Sequence, residues 1–332
     1  MSAMVCAAPS FGVLRPAMTA KIFIDGAAGT TGLEIRTRLS ARADLSLIAL
    51  SDAERKQAGA RKAALNDAEL VILCLPDEAA REAVALIDNP RTRVIDASTA
   101  HRVADGWTYG FAEIEPDGYG RIAEAKRVGN PGCWATGFLA LVRPLRRAGV
   151  IPADFPVSVH GVSGYSGGGK AMIEEFEKED SPAYIDAISR IYGLSLAHKH
   201  VPEMQAHAGL THPPLFAPAV GRFYRGMVVE VPLPLWALPS RLSPRDVHAV
   251  LADAYEGRPL IEVASLEDAA SLKTLDAESL KGSNRLKLFV FANERTEQVR
   301  LVAALDNLGK GAGGAAVQNL NIMLGLPETT GL

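Results

Sequence analysis

The sequence predicts an α/β protein: a doubly wound parallel sheet, then an α+β region whose sheet is mixed and largely antiparallel. Three observations predict it. Short apolar runs alternate with helical patterns over the first 130 residues, which is how parallel strands and their crossover helices read. The first of those runs passes straight into a turn with three spaced glycines and then into a helix. Residues 220–236 and 285–303 instead carry strand patterns with no helix between them, as in antiparallel sheets.

The elements follow in order. Lys21–Asp25 is a short apolar strand, and Gly26-Ala-Ala-Gly-Thr-Thr-Gly32 is the turn after it. Leu33, Ile35 and Leu39 then recur at helical spacing among charges. Leu45–Leu50 and Glu69–Leu75 are the next strands, the latter ended by Pro76, and Asp77 is placed to cap a helix through Ala83 and Ile87. Arg93–Asp96 is a fourth strand. Gly129-Asn-Pro-Gly-Cys133 is a tight turn that opens a helix from about Trp134 to Arg147, closed by Gly149. Strands are expected at Phe155–Gly161, Gly226–Trp236, Leu286–Ala292 and Gln298–Ala304, and a final helix within Asp306–Leu324 after a glycine-rich turn.

Composition narrows the function. The 332 residues suffice for about two domains. A net charge of -3 and 6% aromatics offer neither a basic face nor a stacking surface for nucleic acid. No apolar run reaches the roughly 18 residues of a membrane span. Cys6, Cys74 and Cys133 are too few and odd in number for a disulfide framework. Residues 1–19 lack the pattern of a secretory signal and read as a mobile extension, with Met18 a candidate start. A cytoplasmic protein is expected.

Gly26, Gly29 and Gly32, between a strand and a helix, suit a dinucleotide pyrophosphate. The first glycine permits the turn, the second a close backbone approach, and the third tight helix–strand packing. The helix start, with Thr30 and Thr31, presents free N–H groups to the phosphates. A Rossmann-type domain is therefore expected over 20–132. At the end of the second strand, Asp52 has the chemistry to hold a ribose hydroxyl, whereas Ser51, Arg55 and Lys56 have that for a 2′-phosphate. The cations favour NADP(H).

Cys133 follows Asn-Pro-Gly and begins a helix, a position whose partial positive charge favours thiolate. Cys74 lies in an apolar strand and reads as core. His198-Lys-His-Val-Pro-Glu203 is the densest proton-handling segment: two histidines on one side of an extended stretch, with Glu203 to orient one of them. His207 and His212 read as incidental. No third and fourth ligand accompany the pair, so no metal is expected. Gly164 to Lys170 nearly fits a P-loop but has Ala171 where magnesium needs a hydroxyl. Its backbone and Lys170 can still meet phosphate.

With these segments the chain resembles the N-acetyl-γ-glutamyl-phosphate reductases of arginine biosynthesis, in their shorter (type 2) branch. Besides the glycine turn, the resemblance rests on Asp96-Ala-Ser-Thr-Ala-His-Arg102, Gly129-Asn-Pro-Gly-Cys-Trp-Ala-Thr-Gly137, the His198–Glu203 segment and Asp306-Asn-Leu-Gly-Lys-Gly-Ala-Gly-Gly314. It implies NADPH-dependent reduction of an acyl phosphate to a semialdehyde through a Cys133 thioester. It makes His200 the first choice for acid–base work and puts Ser98 and Arg102 near the substrate. It folds residues 306–332 back to the nucleotide-binding domain, leaving 133–305 as a catalytic and dimerisation domain. Asn130 and Ser163 are further candidates for substrate or phosphate, and Pro76, Gly164 and Gly313 for cofactor. Trp134 and the pair Ala100-His101 depart from the longer branch. The partners expected are a small acyl phosphate and a second or further copies of the chain, as homodimer or homotetramer. Alternatives are a related acyl-phosphate reductase, such as aspartate-semialdehyde dehydrogenase or a carrier-protein-linked enzyme, and a non-catalytic NADP-binding regulator. An ATP-dependent enzyme is weakened by Ala171.

Overall fold

The structure, a computed structural model, describes residues 19–51 and 53–332. The N-terminal expectations, including Cys6 and Met18, lie outside the described residues, as do Asp52 and the Lys56 side chain.

The first sheet is built from β1 (Ala20–Asp25), β2 (Leu45–Ile48), β3 (Leu70–Leu73), β4 (Arg93–Asp96), β5 (Thr108–Tyr109) and β6 (Arg127–Gly129). All its pairs are parallel, in the order β2-β1-β3-β4-β6-β5. The crossovers use α1 (Thr30–Leu39), α2 (Ala58–Asp67), α3 (Asp77–Ala85) and α4 (Gly118–Glu124). Covered on both faces, the central strand β3 is apolar throughout: every residue of Leu70-Val-Ile-Leu73 is buried. One face packs Ile22, Ile24, Ile72 and Ile95 against Ile35, Leu39 and Ile122, and the other packs Phe23, Val71 and Leu73 against Leu65, Ala80 and Ala83. The chain reverses direction of travel between β1 and β3, and the carboxyl ends there open a crevice suited to a ligand.

The second sheet follows α5 (Cys133–Arg147). It comprises β7 (Ser158–Gly164), β8 (Ser189–Ile191), β9 (Leu215–Gly221), β10 (Met227–Pro234), β11 (Ile261–Val263), β12 (Leu286–Asn293) and β13 (Gln298–Leu305), in the order β11-β12-β13-β10-β7-β9-β8. Its pairs are antiparallel except β11 with β12 and β7 with β9. Helices α6 (Gly169–Glu177), α7 (Val201–Ala208), α8 (Pro244–Tyr255) and α9 (Leu266–Ser271) interleave these strands, so α8 and α9 stand between β10 and β12, where the strand patterns predict no helix. Alternation sets the two faces. Val229, Val231, Leu301, Ala303 and Leu288 join α5 and α8 in the main core, while Val228, Val302, Ala304 and Phe289 meet α9. Beyond α9 the second face is open, around Pro232, Trp236, Phe291 and Arg300.

The chain ends with a π-helical turn, Gly309–Gly313, and α10 (Gly314–Met323), which returns to the first sheet. Ala316, Val317 and Leu320 are buried there beside Ile22 and Ile35. One further expectation shifts. The strand after α5 starts at Ser158, because Pro156 has no amide for the ladder. β9 carries Pro218 and runs between β7 and β8. Pro218 fits because β8 stops at Ile191, opposite Ala219, and Tyr192 N–H donates to the Pro218 carbonyl.

Candidate active site

The site lies where the loops after β4 and β6, the His198–His200 segment and the π-helical turn converge on the start of α5. The loop after β4 is tied to its own strand. Asp96 accepts from Ser98 N–H and hydroxyl at 2.9 and 2.7 Å and lies 2.6 Å from His101 Nδ1. His101 stacks on Trp107. Ser98 therefore holds the loop to its strand and lies outside the lining of the cleft. What the loop presents is Arg102. Its Nε donates to the Asn130 carbonyl at 3.0 Å, Nη2 to the Ala97 carbonyl at 3.2 Å, and Nη1 to Glu203 at 2.9 Å.

Glu203 also departs from expectation. It orients no histidine. Its second oxygen accepts from the Gly132 N–H at 2.8 Å and the Tyr109 hydroxyl at 2.7 Å. Tyr109 stacks on His207, whose Nε2 lies 2.7 Å from the Arg102 carbonyl. His207 thus supports the Arg102 loop rather than being incidental, while His212 is exposed.

Gly132 is the hinge point of the cluster. A Cβ there would strike Arg102 Nη1 and come within 2.6 Å of His200 Nε2. Only glycine lets the guanidinium and the imidazole close over the residue before Cys133. On the other side Gly311, in the π-helical turn, fits against the Cys133 side chain, where a Cβ would come within 2.7 Å. Helix α5 has no side-chain cap and no acid in its first turn. Even so, burial pushes the Cys133 thiol up to about 11. Arg102, the Trp134 backbone N–H and Lys199 pull the other way without overcoming it. The expected resting thiolate gives way to a thiol, which needs a base.

The histidine segment is a turn, not an extended stretch, and His200 caps α7. The rings lie 4.9 Å apart, nearly perpendicular. His198 Nδ1 accepts the His200 backbone N–H at 3.2 Å, which commits that nitrogen. His200 Nδ1 is buried without a protein partner. Burial holds His198 down at about 4 and His200 well below the ordinary range, helped by nearby Arg102 and Lys199. Both rings are neutral at pH 7.

These groups line a cleft of about 340 Å³ with Thr30, Thr31, Asn130, Ser163, Gly164, Tyr192, Asn307 and Lys199. Asn130 is fixed by the Ala312 carbonyl and Asn319. Lys170 is exposed on α6 and outside the lining, because the short helical turn at Tyr165–Gly168 redirects the chain. Lys199, Tyr192 and Asn307 were missed: only folding brings them to the cysteine, although Lys199 stands between the two histidines.

The nucleotide crevice adjoins this cleft. Gly26 has φ +88, and a Cβ there or at Gly32 would strike backbone. Gly29 has ordinary room, caps α1 without a side-chain bond, and is followed by no acid. An uncapped helix start at the end of a central parallel strand fits a pyrophosphate. Pro76 caps α3, and Asp77 is that helix's first residue and accepts from Thr99 rather than capping. Gly313 packs on Glu34 of α1. Arg55 lines a neighbouring depression with Gly26 and Leu50. Ser51 gives its N–H and hydroxyl to Glu54 at 2.8 and 2.6 Å. Among the described residues no group of acidic, histidine and cysteine side chains could hold a metal, and no helix is long and apolar enough to cross a membrane.

Comparison with known proteins gives the same picture at two depths. The semialdehyde dehydrogenase NAD binding domain matches residues 21–121, and the semialdehyde dehydrogenase dimerisation domain matches residues 133–307. Aspartate semialdehyde dehydrogenase II from Vibrio cholerae, in a structure with ASA, superposes with a TM-score of 0.69 at 14% identity, over 92% of this chain and 98% of that one. The enzyme from Francisella tularensis does so at 0.69 and 13%, over 92% and 100%. Such identities speak for the fold alone. The N-acetyl-gamma-glutamyl-phosphate reductase of Trichormus variabilis is 52% identical over 318 residues, 94% of this chain and 99% of that one. That of Brucella anthropi is 55% identical over 309 residues, 93% and 99%. The chain belongs to the semialdehyde dehydrogenases and, within them, to the N-acetyl-γ-glutamyl-phosphate reductase family.

Proposed function

We propose that this chain reduces N-acetyl-γ-glutamyl phosphate to the semialdehyde with NADPH, through a thioester on Cys133. The observation that carries the reading is the placement of Cys133 at an uncapped helix start, with Arg102 and His200 closed over Gly132. The thiol proton passes to His200, which is neutral and so able to accept it. The sulfur bonds to the acyl carbon, and the phosphate leaves with the electrons of the C–O bond, taking up that proton. The Trp134 N–H and Arg102 favour the anionic sulfur at both ends of the cycle. A nicotinamide cofactor, when bound, supplies the hydride. The C–S bond then breaks, the carbonyl re-forms as the aldehyde, and the sulfur leaves as a thiolate that takes a proton from solvent by way of His200, whose earlier proton left with the phosphate.

Thr30, Thr31 and Gly32 at the start of α1 serve the cofactor pyrophosphate, and Ser51 with Arg55 the 2′-phosphate that selects NADPH. Glu54 holds both Ser51 donors, so a 2′-phosphate at this position has to displace that carboxylate. The open face around Trp236 and Phe291 supports self-association of the chain.

The test is Cys133→Ser assayed with N-acetylglutamyl phosphate, and in reverse with N-acetylglutamate semialdehyde against aspartate semialdehyde. The expected result is lost turnover with NADPH binding intact, and preference of the parent enzyme for the acetylated aldehyde. Turnover retained by the serine variant would overturn the covalent route.

A further inference from the structure

Two cations line the catalytic cleft, Arg102 and Lys199, and no carboxylate does. They are not equivalent. Arg102 is buried, and each of its three nitrogens already donates to the protein. It is the stronger of the two in drawing the Cys133 thiol toward its anion. Lys199 is exposed, and its ammonium forms no ion pair with any described residue. Its charge is felt at both histidines, more weakly at Cys133, and at Asp77 at the start of α3. One cation therefore sits at the reacting sulfur and the other farther out on the same wall.

The substrate proposed above has the same polarity. Its phosphate is bonded to the carbon that the sulfur attacks. Three carbons separate that carbon from the α-carboxylate. An ammonium with no partner of its own is suited to meet a carboxylate in a cleft that holds no competing acid.

We propose that Lys199 is the carboxylate anchor of this site, pairing with the α-carboxylate of the acylated amino-acid chain while Arg102 faces the phosphate end. This rests on the reading given under Proposed function. It assigns to Lys199 the anion contact that the sequence pattern assigned to Lys170, and makes Lys199 the residue that selects an amino-acid semialdehyde over a simple aldehyde.

The reverse reaction separates the two anions onto different molecules: the semialdehyde carries the carboxylate, and inorganic phosphate is added on its own. In Lys199→Met the KM for N-acetylglutamate semialdehyde should rise about 10–100-fold, the worth of a charge-assisted hydrogen bond, with the KM for phosphate unchanged. Lys199→Arg should stay within about threefold of the parent, since the charge is kept. The parent enzyme should prefer the free acid over its 1-methyl ester, and Lys199→Met should treat the two alike. A raised KM for phosphate with an unchanged KM for the aldehyde would overturn the assignment, and so would no change in either. If the parent enzyme itself does not oxidise this aldehyde with phosphate and NADP⁺, the functional reading fails, and the assignment with it; that result is distinct from a failure of Lys199 alone.

Discussion

Helices α1 and α5 begin alike and end in different chemistry. Each follows a short parallel strand, each has glycine at the cap, and neither has a side-chain cap or an acid in its first turn. Each therefore offers unsatisfied N–H groups and a positive end. Helix α1 lies partly exposed along the first sheet, and the turn before its start lines an open crevice that suits a mobile anion. Helix α5 is buried for most of its length, and its first side chain is a thiol enclosed by Gly132 and Gly311. The same field acts at both. Burial decides the outcome at Cys133, where desolvation exceeds what the helix and Arg102 supply.

The comparison breaks most sharply at the two glycines that shape these starts. Gly132→Ala should cut turnover about 100-fold or more by displacing Arg102 and His200 from the sulfur, a misplacement of about 1 Å, with NADPH affinity kept. Gly32→Ala should do the reverse, weakening NADPH in a fluorescence titration, because its Cβ would strike the Gly26 carbonyl. Equal effects of both variants on binding and turnover would dissolve the distinction.

A smaller effect is expected at Glu203→Gln. It removes the charge opposite a buried Arg102 while keeping an acceptor for Gly132, and should cost about 2–3 kcal/mol in urea unfolding. Turnover should fall as well, since Arg102 loses its charged partner and keeps only the Asn130 and Ala97 carbonyls at full strength.

The smallest concerns pH. Folded His198 binds a proton only near pH 4, against 6.5 ordinarily. The unfolded chain therefore takes up more protons between these values. Stability should fall as pH drops from about 6.5 to about 4, by on the order of 1 kcal/mol for this partly exposed ring. The urea midpoint of His198→Gln should fall less steeply over that window; an unaltered slope would reject the shift.

Much of the first sheet was legible because its strands are buried on both faces and its turns are glycine-marked. Arg93–Asp96 matched to the residue, and the helix at Cys133 within one. The second sheet was less so. β8 and β11 have three residues each, and β9 carries Pro218, so neither length nor composition announces them. In the site, Cys133, Arg102 and His200 were readable from local motifs. The partners of Glu203 were not: Arg102, Gly132 and Tyr109 lie 71 to 101 residues away in the chain.

The sequence alone determined where the chain turns, which cysteine opens a helix and which histidines accompany it. Those are short-range matters of backbone freedom and spacing. Only the tertiary structure decided that the cysteine rests as a thiol, that Glu203 serves Arg102 rather than a histidine, and that Lys199 rather than Lys170 faces the cleft. Ionisation and pairing depend on burial and on charges brought together from distant segments, and no local window contains them.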